Sequence, residues 1–174
     1  SHADVPALDI LSMVLGQNRS SRLVSRVENE KHLAIGVSAM NYTPYFTGIF
    51  CVTATCEKAK LGKLRDEIGR EISVLGSKDP VRPDEVAKSA NFIVTDFCQN
   101  LRTNTNMARI IGTSVLNYGD PEFIHRYIEN ILRVTPEDVM RAAVKYLTAE
   151  NSTYVELLPE DCAAKAAAMP RKSK

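Results

Sequence analysis

In the stretch GQNRSSRLVSRVENEKHLAIGVSAMN, Gly16 to Asn41, a helical spacing of arginines gives way to strict alternation without any breaker between them. Arg19, Arg22 and Arg26 recur at three and four residues, which predicts a short helix from Ser20 to about Glu30 with a serine at its start. Beyond it Leu33, Ile35, Val37 and Ala39 alternate with Ala34, Gly36 and Ser38, the signature of a strand with one face buried. A helix feeding straight into a strand belongs to a layered fold, and the flanking sequence shows which one.

Upstream, Asp4 is placed to cap a first helix whose Leu8, Leu11, Val14 and Leu15 follow a 3.6-residue period, with Gly16 placed to end it. That pattern begins with no lead-in after Ser1-His2, as expected of a piece whose natural start lies further upstream. Downstream, the loop NYTPYFTG leads into GIFCVTATC, rich in β-branched residues, so two strands form an antiparallel hairpin. From Glu57 the pattern turns helical. Leu61, Leu64, Ile68, Ile72 and Leu75 make one stripe, closed by Gly76, while Val86, Ala90, Ile93, Val94, Phe97 and Leu101 make another after Pro83. Three more helices are expected near 104–118, 121–133 and 136–148. DPEF and TPED open the last two, with Asp120 and Thr135 as N-caps and a proline at the first helical position, where no N–H bond is lost. STYVELLP reads as a third strand, and residues 160–174 as a weakly ordered tail. The fold class is therefore α+β, with helices packed on one face of a mainly antiparallel sheet in a single domain over 1–159. Three strands are few for so many helices, so its first strands are expected to lie outside this sequence or to come from a partner.

At 174 residues and 44% hydrophobic, the chain can bury one sizeable core. Lys plus Arg number 22 against 21 Asp plus Glu, too even a balance to gather nucleic acid or an anionic membrane. No apolar run approaches the ~20 residues that cross a bilayer.

Local chemistry is sparse. The cysteines Cys51, Cys56, Cys98 and Cys162 contain no C-x-x-C pair and read as free, buried thiols; Cys51 and Cys56 point to opposite faces of one predicted strand. The histidines, His2, His32 and His125, never pair at the spacing of a helical zinc site, and the local grouping left is His32 with Glu28 or Glu30. His125 falls on the face of an amphipathic helix. GVSAM and GTSVL lack the second glycine of a nucleophile elbow, and the eight glycines form no phosphate cradle. Lys63, Arg65, Asp66, Glu67 and Arg70 read as solvated ion pairs worth ~0.2–0.5 kcal/mol each. Arg19, Arg22 and Arg26 leave two readings open. They share a side that receives a ligand carboxylate, or they form a solvated face on which Arg26 pairs with Glu30.

The ordered combination ALDILSMVLG, NRSSRLVSRVENEKHLA, GIFCVTATC and GDPEF followed by VTPEDVMRAAVKYLTAENSTYVELLP resembles the pitrilysin/insulinase family of zinc metallopeptidases, including its mitochondrial-processing-peptidase branch, from about Asp4 to Pro159. The resemblance implies homologous α/β domains facing each other as half-shells around a chamber. One such domain carries H-x-x-E-H, a downstream glutamate and zinc, and activates water on the metal; its companions lack zinc and help enclose the peptide. H-x-x-E-H is absent here, so the resemblance is to a companion domain. It implies no catalytic residue, metal ligand or cofactor in this chain, zinc in the companion, and leaves substrate-binding residues unassigned. Companion domains of active enzymes commonly carry an arginine in the SRL helix and a tyrosine seven residues later; counted from Ser21-Arg22-Leu23, those positions hold Glu28 and Ile35, neither of which can donate as its counterpart does. The implied partners are a homologous zinc-bearing domain or subunit and peptide substrates, with a homodimer compatible. The compartment stays unassigned, with a soluble setting in bacterial periplasm or cytoplasm favoured slightly over the mitochondrial matrix. The rival readings are a scaffold subunit of the same fold without proteolysis, as in the core subunits of the respiratory cytochrome bc complex, and peptide capture at a strand edge.

Overall fold

The computed structural model describes residues 2–44 and 47–159, and its centre is the most apolar helix. Helix α1, Val5–Gly16, has Ile10, Leu11 and Leu15 at 0% exposure because it is wrapped by the sheet and by three other helices. A π-helix follows at Val24–Glu30, then strands β1, Gly36–Tyr42, and β2, Ile49–Thr55, a 3-10 turn at Lys58–Lys60, and helices α2, Leu61–Val74, α3, Pro83–Asn100, α4, Asn104–Tyr118, α5, Phe123–Arg133, and α6, Pro136–Tyr146.

The strands pair antiparallel, with Ala39 opposite Val52 and Asn41 opposite Phe50. Val37 and Ala39 are buried, and Val52 and Phe50 pack on the same core. The alternate residues look the other way: Ser38 Oγ lies 2.8 Å from Thr53 Oγ1, and Met40, Tyr42 and Ile49 are exposed. Helices thus cover one face of an antiparallel sheet, the α+β arrangement the patterning predicts.

Gly16 ends α1, though not as a left-handed cap. A Cβ there would lie 2.4 Å from the Ala39 amide nitrogen, so the missing side chain is what lets helix and strand backbones touch. Gly16→Ala is therefore expected to destabilise by about 1–3 kcal/mol through overpacking, read as a shift of the urea midpoint. An unchanged midpoint would mean that α1 and β1 are not in such close contact.

Five expectations are corrected. The Asp4 side chain makes no bond to the helix it precedes; it is buried and bound by Arg141 Nη1 at 2.7 Å, Lys145 Nζ at 2.8 Å and the Tyr146 hydroxyl at 2.8 Å, so long-range cations outcompete the local N–H groups. Ile35 is 68% exposed while Ala34 is buried, because the chain turns through His32 at φ 50° and enters the ladder only at Gly36, which shifts the phase of the alternation. Asp120 does not cap α5, which begins at Phe123; its Oδ1 accepts from the Glu122 amide at 2.9 Å and holds the preceding turn. Thr135 does cap α6, in a capping box with Asp138. The thiols of Cys51, Cys56 and Cys98 are free but not buried: the first two are half-buried at the hairpin, and Cys98 is exposed on α3, one position off its apolar stripe. STYVELLP forms no strand: it lies beside α2, with the Arg65 guanidinium 5.7 Å from the centre of the Tyr154 ring, and leaves Leu157 94% exposed. Among the described residues the sheet has two strands. The tail at 160–174, with Cys162, lies outside the described residues.

Candidate functional site

The arginine row resolves into three different environments. Arg19 sits in the turn before the helical segment and is exposed. Arg22, 5% exposed, is turned inward and fully engaged: its Nε and Nη2 donate to the Glu85 carboxylate at 2.8 and 2.7 Å, Nη1 donates to the Asp79 carbonyl at 2.7 Å, and Nη2 to the Pro80 carbonyl at 2.8 Å. Arg26 bonds Glu71, itself 1% exposed, and Asp79. Neither open reading describes the row as a unit, since Arg22 is buried on partners of its own chain and Arg26, 31% exposed, pairs with Glu71 and Asp79 instead of Glu30. The physical cause is the 77–82 loop, which brings two carbonyls and Asp79 to a planar fork that matches them.

The clamp also sets charge states. Arg26, with Arg22 beside it, holds the Asp79 carboxyl below the usual carboxylate range, and although burial opposes it, the Arg22 bonds hold Glu85 low as well. Glu67, read as a solvated partner, bonds Arg70 and crosses to Lys31 at 2.6 Å, which pulls it down to about 2.

The helical segment that carries Arg26 is wound as a π-helix, Val24–Glu30. The Lys31 amide bonds the Arg26 carbonyl five residues back at 3.1 Å, and the Leu33 amide reaches the Val27 carbonyl at 2.9 Å. His32 then takes a left-handed backbone, and its Nδ1 lies 3.1 Å from the Glu28 carbonyl, so it meets the backbone of Glu28 and not its carboxylate. His2 lies near Asp4 and His125 near Glu122. Among the described residues no three His, Cys, Asp or Glu side chains gather where a metal could sit. Glu28 and Ile35 flank the entry to β1, where an acid and an exposed aliphatic chain offer no donor to a developing oxyanion.

A second place escapes sequence reasoning altogether. Asp9 of α1, Asn41 of β1 and Tyr127 of α5 meet at the floor of a cleft of about 340 Å³ between α1, α3, α4 and α5. The Tyr127 hydroxyl donates to Asp9 Oδ2 at 2.7 Å and Asn41 Nδ2 donates to Oδ1 at 2.8 Å. Burial pushes the Asp9 carboxyl above its usual range, and burial beside Asp9 pushes the Tyr127 hydroxyl up too. The one sequence signal was an acid inside the otherwise apolar run PALDILSMVLG.

A family model described as the peptidase M16 inactive domain matches residues 1–93. The zinc protease PqqE of Helicobacter pylori is 28% identical over 159 residues, 91% of this chain and 35% of that protein. Subunit alpha of the mitochondrial-processing peptidase of Caenorhabditis elegans is 23% identical over 137 residues, 79% of this chain and 26% of its own. The solved inactive peptidase domain of a Bordetella parapertussis protein superposes with a TM-score of 0.79 at 21% identity, covering 92% of this chain and 87% of that one, a likeness of fold. The chain thus spans about a third or less of the length of these curated relatives.

Proposed function

Because the chain belongs to the peptidase M16 inactive-domain family, we propose that it serves as the non-catalytic half of a zinc metalloendopeptidase, packing against a homologous zinc-bearing domain and lining part of a peptide chamber. The observation that carries this reading is the match of the inactive-domain model across the α1, π-helix and hairpin region, together with the absence of H-x-x-E-H from the sequence. Among the described residues no three His, Cys, Asp or Glu side chains gather where zinc could sit, and in this reading the metal belongs to the companion. What this chain contributes is a wall: the Arg22 and Arg26 clamp fixes the π-helix, with Glu28 on it, against the 77–82 loop and α3, and thereby the approach of Ile35 to β1. The exposed sheet residues Met40, Tyr42 and Ile49 offer apolar area for a neighbouring domain. One relative is by name a subunit, which supports a partner chain or domain of related fold. Among the described residues no helix is long and apolar enough to cross a membrane.

The test is peptide cleavage by the 174-residue chain with added zinc and then with a chelator. No zinc-dependent turnover is expected, and measurable turnover would refute the proposal. Glu28 and Ile35 favour a second reading, a scaffold subunit with no proteolysis nearby, because the donor pair common in companions of active enzymes is missing. Mixing the chain with its zinc-bearing counterpart separates the two: stimulation of that counterpart's peptidase rate supports the chamber wall, and binding without stimulation supports the scaffold.

A further inference from the structure

The buried acids that tie the fold together each meet a cation. Asp4 meets Arg141 and Lys145, Glu71 meets Arg26 and Arg70, and Glu85 meets Arg22. Asp9 differs. Its two oxygens are held by neutral donors, Tyr127 and Asn41, and no lysine, arginine or histidine nitrogen lies within 4 Å of it among the described residues. A carboxylate drawn out of water without a counter-ion is costly, and three separate elements converge to hold this one in place. Such a group at the floor of a cavity is the physical description of a binding site with its charge left open.

The cavity supplies the rest of the specification. At about 340 Å³ it lies at the small end of ligand sites, roughly 300–1,000 Å³, so it takes a single side chain or small molecule and not a folded segment. Ile93, Phe97, Ile124 and Ile128 give it apolar walls. At the lip Asp96, steadied by the Asn100 amide at 3.0 Å, adds a second acid, and Arg109 stands exposed without a bond to either acid.

We propose that this cleft binds a short apolar stem tipped by a guanidinium or ammonium group, with Asp9 as the counter-ion at its floor. That chemistry is offered by a basic side chain of an extended peptide and equally by a free alkylguanidine. The proposal stands apart from the family reading, since neither zinc nor a companion domain enters it.

Calorimetric titration of the 174-residue chain with n-butylguanidinium and with its uncharged analogue n-butylurea tests it. The unsubstituted chain is expected to prefer the cation by at least tenfold, and Asp9→Asn to lose that preference. Should Asp9→Asn fail to fold, the side-chain amide resonances of Asn41 in the unsubstituted chain report the same preference, shifting with n-butylguanidinium and not with n-butylurea. A capped Ala-Ala-Arg-Ala-Ala peptide distinguishes the sources: binding more than tenfold tighter than n-butylguanidinium points to a peptide side chain, and equal binding to a free alkylguanidine. Equal affinity for cation and urea, no binding of either at millimolar concentration, a preference that survives Asp9→Asn, or a more than tenfold gain on Arg109→Gln, which would make Arg109 the cleft's own occupant, overturns the proposal.

Discussion

Arg22→Met is expected to lower the unfolding free energy by about 3–5 kcal/mol, the loss typical when one partner of a buried ion pair is removed and the other stays buried. Arg22 is 5% exposed and satisfies the Glu85 carboxylate together with the carbonyls of Asp79 and Pro80. Methionine fills similar space but leaves an acid and two carbonyls without donors, so the penalty comes from desolvated acceptors and not from lost volume. Arg22→Lys is expected to recover less than half of the loss, because a single ammonium cannot meet acceptors arranged around a planar fork. Urea unfolding of the three proteins, followed by far-ultraviolet circular dichroism, reads both values. A loss below about 1 kcal/mol for Arg22→Met, the range of exposed pairs, would mean that the guanidinium is hydrated in solution and the clamp does not exist there.

Acid is expected to destabilise the protein, with Asp4 beside the other end of α1 as one of the coupled groups. The Lys145, Arg141 and Tyr146 bonds hold the Asp4 carboxyl far below the usual carboxylate range, and Asp79, Glu85 and Glu67 are held low as well, Glu67 at about 2. A group whose pKa is lower folded than unfolded stabilises above its unfolded pKa, and that stabilisation is lost as pH falls through the folded value. Stability should therefore be flat near neutrality and fall from about pH 5 to pH 2, bracketing the unfolded carboxylate range near 4 and the depressed folded values. Asp4→Asn should remove on the order of 1–3 kcal/mol at pH 7, discounted because its cationic partners are half exposed, and should flatten the acid slope. Thermal midpoints of both proteins across that range decide it: parallel curves would show that Asp4 is not coupled to the acid transition.

Periodicity made the scaffold legible. The stripe Leu8, Leu11, Val14 and Leu15 placed α1, Thr135 with Pro136 placed the start of α6, and alternation placed β1 while β-branched residues placed β2 as its antiparallel partner. These features depend on neighbours within a turn or across one short loop, and the residues that cause them are adjacent in the chain. The family resemblance rested on the same local segments, taken in order.

Long-range chemistry was not legible, because its partners lie far apart in sequence. Arg22 finds Glu85 across 63 residues, Asp4 finds Arg141 across 137, and Asp9 finds Tyr127 across 118, so spacing within any window carries no trace of them. The same cause turned Asp4 from a helix cap into an anchor and the arginine row from a surface into a clamp: a local hydrogen bond yields wherever a distant charge offers a stronger one. STYVELLP shows the converse, since a strand's propensity is local but its ladder requires a neighbour that only tertiary structure provides. What the sequence determined alone was the helices, the hairpin and most of the faces they bury. What the tertiary structure decided was which charges are spent on holding those elements together and which one, Asp9, is left facing a cavity.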